Sequence, residues 1–226
     1  MANNFRKVTH CIFDMDGLLL DTEKIYEKMM GDLIESYNST YPWATRLKVL
    51  GRTEHVAVSI IVNDLKLPCT EDEFMTKLQE KQLVDLADVP FMKGAERLIR
   101  HLHQHNIPIA VATGSSAESY EIKTQKHLEL FDLFHHHVTG SSVQEGKPAP
   151  DIFLLAASQF STSPKPEECL VFEDAPNGVK AGVSAGMQVV MVPAPYITED
   201  QRKDASLVLN SLEEFQPELF GLPAFT

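Results

Sequence analysis

Val8-Thr9-His10-Cys11-Ile12-Phe13-Asp14-Met15-Asp16-Gly17-Leu18-Leu19-Leu20-Asp21-Thr22 is the stretch whose reading decides the fold of this chain. Apolar, strand-forming residues run into two carboxylates one residue apart, then a glycine, then an Asp-Thr pair able to cap a helix. The order reads as strand, acidic loop, helix. Open parallel sheets bind their ligands beyond the carboxyl ends of the strands, so the two acids stand where chemistry belongs.

Outward from that stretch the pattern divides. Residues 18–88 are helical throughout: Ile25, Tyr26, Met29, Met30, Leu33, Ile34 and Tyr37 fall at helical spacing, and helices are expected over 43–50, 54–67 and 70–86. Thr70-x-x-Glu73 marks a capping box at the start of the last. From Phe91 onward, short apolar runs alternate with helical windows, the rhythm of a parallel sheet. Helices are expected over 94–105, 117–129, 151–160 and 178–185, and strands over 108–112, 137–140, 169–172 and 188–192, with an edge strand at 207–209. The fold class is therefore α/β, a Rossmann-like parallel-sheet core (1–17 and 89–226) with a helical cap (18–88) inserted after the first strand.

With 226 residues, 43% of them apolar and 23% charged, the composition is that of an ordinary globular protein. A net charge of −12 speaks against a broad nucleic-acid or anionic-membrane surface, so anion binding must be local. Cys11, Cys69 and Cys169 are far apart in sequence and form no C-x-x-C pair, which suits buried reduced thiols. No apolar run reaches membrane-spanning length and no signal peptide is evident, so a cytoplasmic monomer is expected.

The strand ends collect the chemistry. Asp14 and Asp16 follow the first strand, Thr113-Gly114-Ser115 the second and Glu173-Asp174 the fourth, while Lys147 lies in the turn after the third. Carboxylates about 4 Å apart repel by about 4 kcal/mol at an effective dielectric near 20, so the cluster needs a cation. All-oxygen ligands suit Mg²⁺ better than zinc. Lys147 can offset the charge of an incoming anion, and Thr113 with the amides of Gly114 and Ser115 offers donors to a phosphate. Hydroxyl, ammonium and metal together describe a phosphoryl site.

Four ordered motifs carry a family resemblance: Asp14-x-Asp16-Gly17-x-Leu19-x-Asp21-Thr22, Thr113-Gly114-Ser115, Gly146-Lys147-Pro148-x-Pro150-Asp151 and Phe172-Glu173-Asp174-Ala175-Pro176-Asn177-Gly178. The chain resembles the haloacid dehalogenase superfamily with a type 1 cap, and within it the branch that dephosphorylates pseudouridine 5′-phosphate. The resemblance implies Asp14 as nucleophile, Asp16 as general acid and base, and Thr113 and Lys147 orienting the phosphate. It implies Mg²⁺ held by Asp14, the Asp16 backbone carbonyl, Asp174 and Glu173. Gly114 and Ser115 would contact the substrate, as would Arg52 in a loop after a cap helix. The expected partner is a small phosphorylated metabolite, a nucleoside monophosphate. Related phosphomutases carry a histidine where Tyr26 stands here, which favours hydrolysis. Hydrolysis of a sugar phosphate or another nucleotide is the alternative, ahead of a phosphomutase or a non-catalytic phosphate-binding protein.

Other residues are discounted. His135-His136-His137 enter a strand on alternating faces and suit a surface turn better than a metal. His101 and His105 share a helical face expected to be solvated. Tyr26, Tyr41 and Trp43 are expected to pack, and Gly114-Ser115-Ser116 lacks the pattern of a serine nucleophile.

Overall fold

The structure, a computed structural model, describes residues 5–49 and 54–225. Contacts divide the chain into two compact units, Met1–Asp21 with Pro90–Thr226, and Thr22–Val89.

The first unit is built on a six-stranded, all-parallel sheet of spatial order β3-β2-β1-β4-β5-β6. In chain order its elements are β1 (His10–Phe13), β2 (Ile109–Ala112), β3 (His136–Val138), β4 (Cys169–Glu173), β5 (Gln188–Met191) and β6 (Leu207–Val208). The central strands are buried end to end, as parallel strands covered on both faces must be. On one face, Ile12, Ala110 and Val171 pack with Ile152, Phe153 and Val179 from the helices Asp151–Gln159 and Pro176–Ser184. Aromatic rings fill part of the other: Phe13 stacks on Phe172 at 4.5 Å, and Phe172 meets Phe215 edge-on at 4.9 Å. The α/β parallel-sheet reading is borne out, edge strand included.

The second unit is helical: α1 (Thr22–Glu35), α2 (Trp43–Val49), α3 (Glu54–Asp64) and α4 (Glu71–Asp85). Thr70 caps α4 in a capping box with Glu73, as the sequence spacing requires. Met29, Leu33, Ile34, Val58, Ile61, Phe74 and Leu78 form its core, with Tyr26 and Tyr41 against it. Trp43 does not pack as expected and is 56% exposed. The expected boundary at Leu18 also moves. Leu18, Leu19 and Leu20 are fully buried, Leu20 bridges Asp16 and Phe91, and the contacts group residues up to Asp21 with the sheet.

The remaining helices are α5 (Ala95–Gln104), α6 (Ala117–Thr124), α7 (Leu128–Phe131), α8 (Asp151–Gln159), α9 (Pro176–Ser184) and α10 (Glu199–Arg202). Three expectations need correction. The single helix expected over 117–129 is broken between α6 and α7, where the Thr124 hydroxyl donates to the Tyr120 carbonyl and His127 leaves helical geometry. His101 is buried rather than solvated: its Nε2 lies 2.9 Å from the Pro223 carbonyl oxygen and its ring 4.5 Å from Phe225. Residues remote in sequence cover that face, which helical periodicity cannot register. His136 and His137 belong to β3, not to a turn, and alternate as expected: one ring packs against Phe160, the other stacks on Tyr120. Cys11 and Cys169 are buried thiols; Cys69 is half-buried and free. Among the described residues, no helix is long and apolar enough to cross a membrane.

Candidate active site

Strand register assembles the site. Phe13 pairs with Phe172 on one side and Val111 on the other, so Asp14, Glu173 and Ala112 emerge at one level of the sheet. The Asp14 amide donates to the Phe172 carbonyl at 2.9 Å, which carries the strand geometry one residue past β1. Lys147, after β3, reaches across: its ammonium donates to Asp14 Oδ1 (2.5 Å), Glu173 Oε1 (2.6 Å) and the Ala112 carbonyl (3.0 Å). Glu173 Oε2 accepts from the amides of Asp174 and Ala175, both at 3.1 Å. Two acids and one ammonium are thereby fixed before any ligand arrives.

Two glycines make room for the acids. A Cβ on Gly178 would lie 1.8 Å from Glu173 Oε1, so only glycine lets α9 approach the carboxylate. Gly17 has φ +79° and a Cβ there would lie 2.3 Å from Asp174 Oδ2. The loop after β1 turns tightly, with Leu19 and Leu20 amides both donating to the Met15 carbonyl, and Asp174 rests against its glycine. Carboxylate oxygens of Asp14, Glu173 and Asp174 come within 4.8 Å of one another.

Electrostatics follow from burial. Asp14 is 6% exposed, and burial pushes its carboxyl up to about 7; Lys147 opposes this, while Glu173 and Asp16 add to it. Burial alone would lower the Lys147 ammonium, but Asp14 and Glu173 hold it above its ordinary value. The direction for Asp14 rests on burial among further acids, a balance that a bound cation would tip toward the ionised form.

Asp16 sits in a neighbouring group. Its Oδ2 accepts from the hydroxyls of Ser115 (2.7 Å) and Thr113 (3.3 Å), and its Oδ1 from the Lys123 ammonium (2.7 Å). Sequence reasoning missed Lys123. The signal was available: Tyr120, Lys123 and Thr124 share one helical face, and a lysine among inward-facing positions needs a partner.

The structure thus brings together Asp14, Lys147, Glu173 and Asp174, with Asp16, Thr113 and Ser115 beside them. The donors expected to greet an anion are satisfied internally: the Ser115 amide donates to Thr113 Oγ1 at 3.1 Å, and the three Lys147 protons have three acceptors. Gly114 is exposed at the loop tip. Arg52 lies outside the described residues.

Known proteins resemble this chain over nearly its whole length. The family described as haloacid dehalogenase-like hydrolase matches residues 8–186. The chain is 50% identical, over the whole of both sequences, to a probable pseudouridine-5′-phosphatase of Drosophila melanogaster. It is 45% identical to (DL)-glycerol-3-phosphatase 2 of Arabidopsis thaliana, covering 96% of this chain and 93% of that one. Among solved structures, a putative beta-phosphoglucomutase from Thermotoga maritima superimposes with a TM-score of 0.77 at 26% identity, covering 94% of this chain and 97% of the other. With the strand-end acids, the motif order and full-length relatives in agreement, the chain belongs to the haloacid dehalogenase-like hydrolases and is an enzyme of that family.

Proposed function

We propose that this enzyme is a phosphomonoesterase that passes a phosphoryl group to Asp14 and then to water, with pseudouridine 5′-phosphate as substrate. The convergence of Asp14, Lys147, Glu173 and Asp174 at one edge of the sheet carries the reading. The substrate rests on the Drosophila melanogaster relative.

The acids fit a hard divalent cation: three carboxylates, no nitrogen or sulfur donor, and oxygens within reach of one another. Asp14, the Asp16 backbone carbonyl, Asp174 and Glu173 are the residues that would hold Mg²⁺. When bound, Mg²⁺ neutralises charge on the phosphoryl oxygens. Glu173 also accepts an N–H or ammonium proton on each oxygen, which fixes Lys147 and the residues leading into α9.

Asp14 attacks phosphorus through a carboxylate oxygen while Lys147 holds the other, and the bond from phosphorus to the ester oxygen breaks. Asp16 acts as the acid with a proton on Oδ2, the oxygen that otherwise accepts from Ser115 and Thr113, and gives that proton to the departing oxygen. Water then attacks phosphorus of the aspartyl-phosphate, Asp16 takes the proton back, and the Asp14 carboxylate is restored. An incoming phosphate competes with Asp14 and Glu173 for the Lys147 protons, and with Asp16 for the Thr113 hydroxyl. We read the helical unit as the cap that selects the leaving group, with Arg52 its substrate contact.

The test is kcat/KM with Mg²⁺ for pseudouridine 5′-phosphate, uridine 5′-monophosphate, glycerol 3-phosphate and sugar phosphates. Pseudouridine 5′-phosphate should lead. The 45% identity to an Arabidopsis thaliana glycerol-3-phosphatase supports a second reading, which wins if glycerol 3-phosphate leads. Isomerised ester in place of free phosphate would replace both with a phosphomutase.

A further inference from the structure

We propose that Lys123 is a positioning residue, fixing the carboxylate of Asp16 where it must stand to protonate the leaving group. The inference rests on the acid and base role given to Asp16 above.

Lys123 is 1% exposed, on the inward face of α6, ten residues after Thr113 in sequence. A lysine so buried costs stability unless its charge is compensated. Its ammonium donates to Asp16 Oδ1 at 2.7 Å and to the Ser115 hydroxyl at 2.9 Å, and that hydroxyl donates onward to Asp16 Oδ2 at 2.7 Å. Both carboxylate oxygens are thus tied, one directly and one through Ser115, into a closed ring of three side chains. Thr113 adds a longer bond to Oδ2. The Asp16 side chain itself keeps 28% of its surface exposed, so the ring holds the carboxylate without enclosing it.

A group that only filled space would not need charge at this point, and methionine would serve. An ammonium aimed at one carboxylate oxygen restricts a torsion that is otherwise broad for aspartate. Misplacement of a catalytic group by about 1 Å can cost about 10²-fold. The Lys123 ammonium bonds Asp16 directly and again through Ser115, so its influence on the reaction runs through Asp16.

The experiment compares Lys123→Met with Asp16→Asn on two esters, an alkyl phosphate and p-nitrophenyl phosphate, reading kcat/KM and inhibition by inorganic phosphate. Alkoxide needs a proton to leave; nitrophenolate does not. Lys123→Met should lose about 10- to 100-fold on the alkyl ester, less than Asp16→Asn, which should lose about 10²- to 10⁴-fold. On p-nitrophenyl phosphate it should lose less than about 3-fold, with phosphate inhibition unchanged, and adding Lys123→Met to Asp16→Asn should cost nothing further. Equal losses on both esters, or no loss, would overturn the role of Lys123. If Asp16→Asn itself shows no dependence on the leaving group, the acid assignment fails instead. Should Lys123→Met not fold, Lys123→Gln keeps a neutral donor and is judged by the same two ratios.

Discussion

Lys147→Met is the perturbation whose consequence can be worked furthest. The substitution keeps the length of the side chain and removes the charge that Asp14 and Glu173 share at 2.5 and 2.6 Å. What remains is two buried carboxylates with oxygens no more than 4.8 Å apart. At that distance and an effective dielectric near 20, they repel by about 3 kcal/mol. Removing one partner of a buried ion pair costs about 3–5 kcal/mol, so the two routes to the number agree. For a chain of this size each kcal/mol moves the melting temperature by about 2–4 °C, which puts Lys147→Met about 10 °C below the parent in chelator at pH 8. Acid should close the gap. Asp14 already has a value raised to about 7, and losing Lys147 removes the influence that pulls it down, so a proton neutralises Asp14 in the variant as pH falls below that range. Mg²⁺ at about 100 times its dissociation constant should also restore about 3 kcal/mol. Differential scanning fluorimetry across pH, with and without Mg²⁺, reads all three effects. A variant within 2 °C of the parent in chelator at pH 8 (roughly 1 kcal/mol) would refute the reasoning, as would a deficit that neither acid nor Mg²⁺ reduces.

Asp14→Asn should abolish turnover and leave the fold intact. Because the folded-state value is raised to about 7, the parent loses stability as pH rises from about 4 to about 7, at no more than about 1.4 kcal/mol per pH unit. The metal-free variant should lack that slope and gain on the parent toward pH 8 in urea titrations. Asp174→Asn should raise the Mg²⁺ concentration for half-maximal thermal stabilisation by at least about 10-fold, as removal of a ligand charge demands. Gly178→Ala must push either Glu173 or α9 aside, costing about 1–3 kcal/mol and most of the activity; equal activity would show that Glu173 need not be held there.

Legibility from sequence followed the range of each interaction. β1 and the acids after it were readable because strand, acid pair and capping residues are contiguous. The meeting of Asp14 with Lys147, 133 residues apart, was readable because a parallel sheet sends every strand end to one edge. The burial of His101 was not, since its cover comes from Pro223 and Phe225. The break between α6 and α7 was hidden by a side-chain bond from Thr124 that competes locally with the helix. Lys123 escaped because lysine on a helix usually faces water, and its partner Asp16 is 107 residues away. The internal satisfaction of Thr113, Ser115 and Lys147 could not be read from residue types, which name donors but not their acceptors.

The central claim is covalent transfer of phosphate to one side chain. Rapid quench during turnover with Mg²⁺, followed by borohydride reduction, turns an aspartyl-phosphate into homoserine, which peptide mass spectrometry locates. Homoserine at position 14, absent without substrate and absent in Asp14→Asn, is the expected result. Homoserine at another aspartate, or none under conditions where the ester is being hydrolysed, would contradict the account.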